Sequence, residues 1–300
     1  MKSELIGKQF PVLSDGFVCL MDVMGTDEDI VQAAKTSYGK GTKSSSDERT
    51  LLRYLMRHRH TTPFEMAELK FMVRVPMDTW RQWVRHRTAS INEYSTRYSE
   101  AIDEMDETGP SEWRLQSTAN KQGSGGYLPS YFVDDEKTDG QSLSRQEKEL
   151  HDYCRRVYKH RIDIGIAREQ ARKDLPLSTY TEAFWKIDLK NLLHFLGLRM
   201  ESHAQLEIRQ YATIIGEQIV KPLFPDTWEA FCDYHFNAIS LSAPEQRIIQ
   251  EALKRAVTDP TTGLRECLDV LAVIAMPDAK PGASNRERSE FMAKLDKLFV

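Results

Sequence analysis

Cysteine is scarce in this chain. Its 300 residues include only Cys19, Cys154, Cys232 and Cys267, far apart and with no C-x-x-C pair. That spacing argues against a disulfide framework and a cysteine zinc site, and it makes a reducing cytoplasm the expected compartment. Long apolar runs are absent too: nothing approaches the ~18–20 residues of a membrane span. The opening "MKSELIGKQFPVLSDGFVCLMDVMG" lacks the apolar stretch and small-residue cleavage site of a signal peptide. Positive charge is not in excess, since 41 Lys and Arg stand against 45 Asp and Glu, a net charge of −4. Overall electrostatics therefore gives no general pull toward nucleic acid or an anionic membrane. There is no G-x-G-x-x-G and no Walker loop, so any dinucleotide would have to be held by side chains. His58 and His60 have no carboxylate or cysteine ligands at suitable spacing, so no metal is expected.

What is present reads as an ordinary globular protein, 40% hydrophobic and 29% charged. The length suits one large domain or two small ones. Residues 17–25 form a buried strand on this reading, followed by a helix with Thr26 as N-cap and Asp29 three residues on. Residues 39–48 are a loop, and 48–60 a helix stopped before Pro63. Leu69, Phe71, Val73 and Val75 alternate with polar residues, which is strand spacing. Pro76 then opens a helix whose buried stripe is Met77, Trp80 and Val84. The stretch 101–145, rich in Asp, Glu, Gly and Ser, reads as a long insertion or mobile loop. Two helices are expected over 145–174 and an extended segment over 176–187. In the helical run from 188, Gly197 stops the first helix and Ser202 with Gln205 boxes the next. The last sixty residues look helical.

The chemistry concentrates in "RQWVRHRTASINEYSTRYS" (81–99), with four arginines in nineteen residues. Helix-end capping needs one or two basic groups. Three of them in "RHR" (85–87) beside Arg81 point instead to anion binding, for which arginine forks are suited. If "NEYSTR" (92–97) is extended, Glu93, Ser95 and Arg97 share one face. They then offer the acceptor, hydroxyl and cation that a nucleoside phosphate needs. No base is placed to activate Ser95 as a nucleophile. Lys190 and His194 are i, i+4 neighbours; spacing alone leaves a solvated face and a binding face equally open. Arg199, between Leu198 and Met200 at a helix joint, is a poorly hydrated cation in need of a partner. A non-catalytic nucleic-acid-binding role for the 81–99 arginines is the alternative, disfavoured by the acidic remainder of the chain.

RHR followed by Ser95 resembles the signature of the flavin-dependent thymidylate synthases. "HTTPFE" (60–65), "ARKDLPL" (171–177) and "FWKIDLKNLLHFLGLRMESHAQLEIRQYA" (184–212) resemble further segments of that family, in the same order. The likeness spans roughly residues 15–235, the 101–145 insertion aside. It implies an α/β (α+β) fold with a mixed, largely antiparallel sheet flanked by helices. It also implies a synthase domain over 1–240 and a helical extension over 241–300. The implied reaction is methylation of dUMP to dTMP, with methylenetetrahydrofolate as carbon donor and FAD, reduced by NADPH, as hydride source. The implied assembly is a homotetramer with active sites shared between subunits.

By the same likeness dUMP is held by Gln82, Trp83, Val84, Arg85, Glu93, Tyr94, Ser95, Thr96, Arg97, Arg172 and Arg199. FAD is held by Ser37, Thr62, Arg85, His86, Arg87, Asn92, Glu93, Asp188, Lys190, His194 and His203. Arg199 is the implied catalytic residue, its charge favouring ionisation of the uracil ring. Met66 stands where many relatives carry histidine, and Asp188 and Lys190 where others carry asparagine and arginine.

Overall fold

The computed structural model describes residues 2–36, 48–118, 123–129, 138–258, 263–276 and 285–298. The chain divides into two units, Met1–Phe236 and Asn237–Val300. In the first, α1 (Lys2–Leu5) leads into β1 (Gln9–Val12) and β2 (Gly16–Met24). Next come α2 (Asp27–Lys35), α3 (Glu48–Arg57), a 3-10 turn over Thr62–Met66, and β3 (Glu68–Pro76). The central segment supplies α4 (Met77–Trp83), β4 (Ser90–Glu93), the short β5 (Arg114–Gln116) and β6 (Ser124–Tyr127), α5 (Gly140–Asp163) and α6 (Arg168–Ala171). The unit closes with β7 (Tyr180–Asp188), α7 (Leu189–Arg199), α8 (Leu206–Ile214), α9 (Lys221–Leu223) and α10 (Pro225–Phe231).

Five strands form one antiparallel sheet in the order β1-β2-β3-β7-β4. The strand period of two puts Leu69, Phe71, Val73 and Val75 of β3 on the same face as Ala183, Trp185 and Ile187 of β7, and all are buried. Helices cover that face. Leu189, Leu192, Leu193 and Leu196 of α7 are buried as their spacing predicts, and Phe195 joins them. The result is the mixed α/β architecture expected from the sequence.

Several local expectations are corrected. The buried residues of α4 are Thr79, Trp80 and Trp83, while Met77 and Val84 are only partly covered. The helix ends at Trp83, so Val84 falls at its cap and Trp83 takes the core position. Trp83 packs against Trp80, Trp185, Phe195 and Tyr211. Gly197 does not stop α7, which continues to Arg199. Glycine weakens a helix interior by only about 1 kcal/mol, and the α7–core contacts outweigh that. The break falls after Met200, and Ser202 bonds to Glu201 instead of capping α8. The 101–145 insertion contains an antiparallel hairpin, β5 with β6. It is tied down by Arg114 to Glu207 (2.5 Å), by Thr108 N–H to Glu147 (2.6 Å) and by the buried Met105, which bridges to Thr179. The two helices expected over 145–174 are one long α5, started by a reciprocal Asp139–Ser142 capping box, and the single turn of α6. The loop expected at 39–48 lies outside the described residues except for Glu48, which begins α3.

The second unit has three helices, α11 (Ala243–Thr258), α12 (Leu264–Ala275) and α13 (Arg286–Leu298). They share a core that includes Ile248, Leu268, Leu271, Phe291 and Leu295. The buried Glu245 accepts from Lys294 at 2.6 Å. Among the described residues no helix is long and apolar enough to cross a membrane.

Candidate functional site

Helix α7 is the axis of the site. Asp188 caps it by accepting from Asn191 N–H at 2.9 Å and from the Asn191 side chain at 2.6 Å. With the leucine stripe fixed in the core, Lys190, Asn191, His194 and Leu198 are left on the outer side. Two adjoining cavities use that side and share Asn191, His194, Leu198 and Thr88. The larger, about 600 Å³, is mainly apolar, with Leu55, Met56, Phe64 and Phe231 in its wall and Arg59, His60, Lys190 and His235 around it. The second, about 550 Å³, is lined by Arg85, His86, Arg87 and Arg199.

Arg199 is half-buried and held at two points. Its Nε donates to His86 Nε2 at 3.0 Å, and its Nη2 donates to the backbone carbonyl of Gln82 at 3.4 Å. Burial pulls its pKa down from the ordinary value, but arginine stays charged. The arrangement requires His86 Nε2 to be an acceptor, so His86 is neutral with its proton on Nδ1. Burial, then the Arg199 charge, then His194 push the His86 pKa down to about 4. The unfolded chain takes up a proton near 6.5, which the folded chain refuses until much lower pH. This histidine therefore favours the fold fully above about pH 6.5, and the contribution is lost as pH falls toward 4. An NMR titration should find the His86 midpoint near 4, and in Arg199→Leu it should move upward; an unchanged midpoint would remove Arg199 as a cause.

Arg81, Arg85 and Arg87 are exposed, and among the described residues none forms an ion pair. In an acidic chain, three such guanidinium groups on one segment offer donors suited to an anion.

A second group gathers at the end of edge strand β4. Glu93 accepts from Thr181 at 2.9 Å, and Tyr94 N–H donates to the Glu182 carbonyl at 2.8 Å. The chain then turns, with Tyr98 and Ser99 N–H both donating to the Ser95 carbonyl at 3.1 Å. The extended face expected for Glu93, Ser95 and Arg97 therefore ends at Tyr94. Arg172, in the turn after α6, donates to the buried Thr96 at 2.5 Å, and Arg97 lies 3.6 Å from Glu169. Among the described residues, no hydrogen bond or ion pair joins this group to the α7 cleft.

The other expected positions divide. Gln82 borders the cleft through its carbonyl, whereas the Trp83 side chain is turned into the core and Val84 packs against it. Asn92 is exposed on β4. Thr61, not Thr62, lines the larger cavity. Asp188 spends its carboxylate on capping, and His203 pairs with Glu201 at 2.5 Å on an exposed turn outside both cavities. Ser37 lies outside the described residues. Sequence reading missed Arg59, Thr88, Asn191, Leu198 and His235 as cavity residues. Asn191 and Leu198 were findable, at i+1 and i+8 from Lys190 on the same helix side. Arg59 was not: its left-handed backbone (φ 58°) has no sequence signal.

An apolar slot beside a row of guanidinium groups, in an antiparallel α/β frame, has the chemistry to hold an anionic ring compound. The profile of the family described as "Thymidylate synthase complementing protein" (Thy1) matches residues 19–226. A flavin-dependent thymidylate synthase of Wolbachia pipientis wMel is 42% identical over 273 residues, covering 90% of this chain and 93% of the relative. One from Thermus thermophilus is 48% identical over 243 residues, covering 81% and 85%. The crystal structure of a UMP/dUMP methylase, PolB from Streptomyces cacaoi, bound with 5-Br UMP, superposes with a TM-score of 0.64 at 33% identity, covering 75% of this chain and 97% of that one. The chain belongs to the flavin-dependent thymidylate synthase family.

Proposed function

We propose that this protein converts dUMP to dTMP, taking the one-carbon unit from methylenetetrahydrofolate and reducing equivalents from NADPH through FAD. The observation that carries the reading is the Arg199 guanidinium, fixed by His86 and Gln82 in the wall of an arginine-lined cleft. The residues present fit a flavin dinucleotide. Leu55, Met56, Phe64, Leu198 and Phe231 make an apolar slot for a flat ring, and Arg85, Arg87 and Lys190 offer cations for a pyrophosphate. Reduced flavin supplies the hydride when bound.

The protein's own groups do the rest. Gln82, Arg85, Glu93, Ser95, Arg97 and Arg172 bind the nucleotide, with the backbone at Tyr94 and Thr96. Arg199 stabilises the uracil ring after loss of its N3 proton, which raises electron density at C5, the carbon to be alkylated. Preorganised charge in a site shielded from water is effective because little reorganisation is needed during reaction. His86 stays neutral, so it adds no competing cation next to Arg199. The same reading includes a homotetramer whose active sites draw on more than one copy. The cytoplasm is the compartment this reading favours.

The purified protein should carry a flavin absorbance band, oxidise NADPH faster when dUMP is added, and form dTMP on addition of the folate. A colourless protein that takes up no FAD would overturn the reading. The nucleic-acid alternative is not favoured, because Trp80, Trp83 and Trp185 are buried and offer no stacking surface.

A further inference from the structure

Gln205 stands at the N-cap of α8, yet its side chain caps nothing. Glutamine is not among the favoured N-cap residues, so its placement calls for another reason. Its amide reaches back to α4 instead. Gln205 Nε2 donates to Asp78 Oδ2 at 3.3 Å, and Gln205 Oε1 accepts from Gln82 Nε2. The backbone carbonyl of this same Gln82 receives Arg199.

The polarity of this chain of amides is set from one end. An ionised carboxylate can only accept. Asp78 therefore forces Gln205 to turn its N–H₂ toward α4's first turn and its oxygen toward Gln82. Gln82 must in turn give an N–H to that oxygen. Its own Oε1 then faces away from the relay, and among the described residues nothing donates to it. A free primary amide can flip between presenting oxygen and presenting N–H₂; this one is held one way round.

We propose that Gln205 is a positioning residue: with Asp78 it fixes the orientation of the Gln82 amide and so keeps an acceptor presented to the nucleotide beside Arg199. This rests on the reading of Gln82 as a nucleotide contact. Asp78 and Gln205 act through Gln82, and neither lines the two cavities.

The test uses the FAD-loaded full chain. Gln205→Leu should weaken dUMP binding about tenfold, seen as a raised KM or Kd, while FAD affinity, dUMP-independent NADPH oxidation and the melting temperature change little. The Asp78→Asn/Gln205→Glu double variant keeps the direction of the relay, because an asparagine N–H₂ can donate to the glutamate and the glutamate still accepts from Gln82. It should recover most of the lost affinity, whereas Gln205→Glu alone, placing two carboxylates together, should not. Equal loss of FAD and dUMP binding in Gln205→Leu would mean a merely structural role and overturn the proposal, as would unchanged dUMP affinity. Gln82→Ala separates the two layers. If it leaves dUMP binding intact, the reading of Gln82 fails; if it weakens binding while Gln205→Leu does not, the relay alone fails.

Discussion

Arg199→Ala is expected to lower dTMP formation by about 10²–10³-fold, the range seen when one preorganised charge or donor is removed from a developing anion. The flavin should remain bound, because the ring slot and the pyrophosphate cations lie on other residues of the two cavities. The structure also says why lysine should not replace it. Arg199 uses Nε toward His86 and one terminal nitrogen toward the Gln82 carbonyl, which leaves the other terminal nitrogen for substrate. A lysine ammonium cannot span those three directions from one planar fork. Single-turnover assays with pre-reduced flavin would isolate the step. Retention of more than a tenth of the wild-type rate in Arg199→Ala would remove it from the chemistry.

The second large effect concerns stability. Trp83→Ala should cost about 3–5 kcal/mol, the usual range for deleting a fully buried large aromatic. Four rings surround Trp83: Trp80, Trp185, Phe195 and Tyr211, from α4, β7, α7 and α8. Removing the indole opens a hole where sheet and helices meet, and a typical domain has only about 5–15 kcal/mol in total. The urea midpoint should fall sharply, with reduced folded yield at 37 °C. A loss under about 1 kcal/mol would mean that the surrounding rings collapse into the gap. Because His86 and Phe195 are also in contact, at 4.9 Å between ring centres, milder replacements at Trp83 should reach the cleft by displacing Phe195.

Much of the frame was legible in the sequence because its signals are periodic. The alternation in β3 and the leucine stripe of α7 each fix a face, and each was found buried as spaced. Capping chemistry was equally readable at Thr26, which accepts from Asp29 N–H at 3.3 Å. What failed had a common cause: one local signal set against packing that no window reveals. Gly197 looks like a helix stop, but α7 is held by contacts with the core. Trp83 sits in an arginine-rich segment, yet its ring belongs to the interior. The 101–145 stretch is polar enough to look unstructured, and its anchors, such as Arg114 to Glu207, are distant in sequence. At the candidate site, the clustered arginines and Arg199 were legible, because guanidinium groups gathered in one segment are conspicuous in an acidic chain. The relay through Gln205 was hidden, since its three members are brought together only by folding.

Helix α7 carries Lys190, Asn191, His194, Leu198 and Arg199 on a single rod whose reverse side is locked by leucines. Each residue of an α-helix turns the next by about 100°. Inserting or deleting one residue before Lys190 would thus swing every ligand-facing group off target at once, or else drag the leucines out of the interior. Evolution can retune this cleft by exchanging side chains along the rod, but not by changing its length.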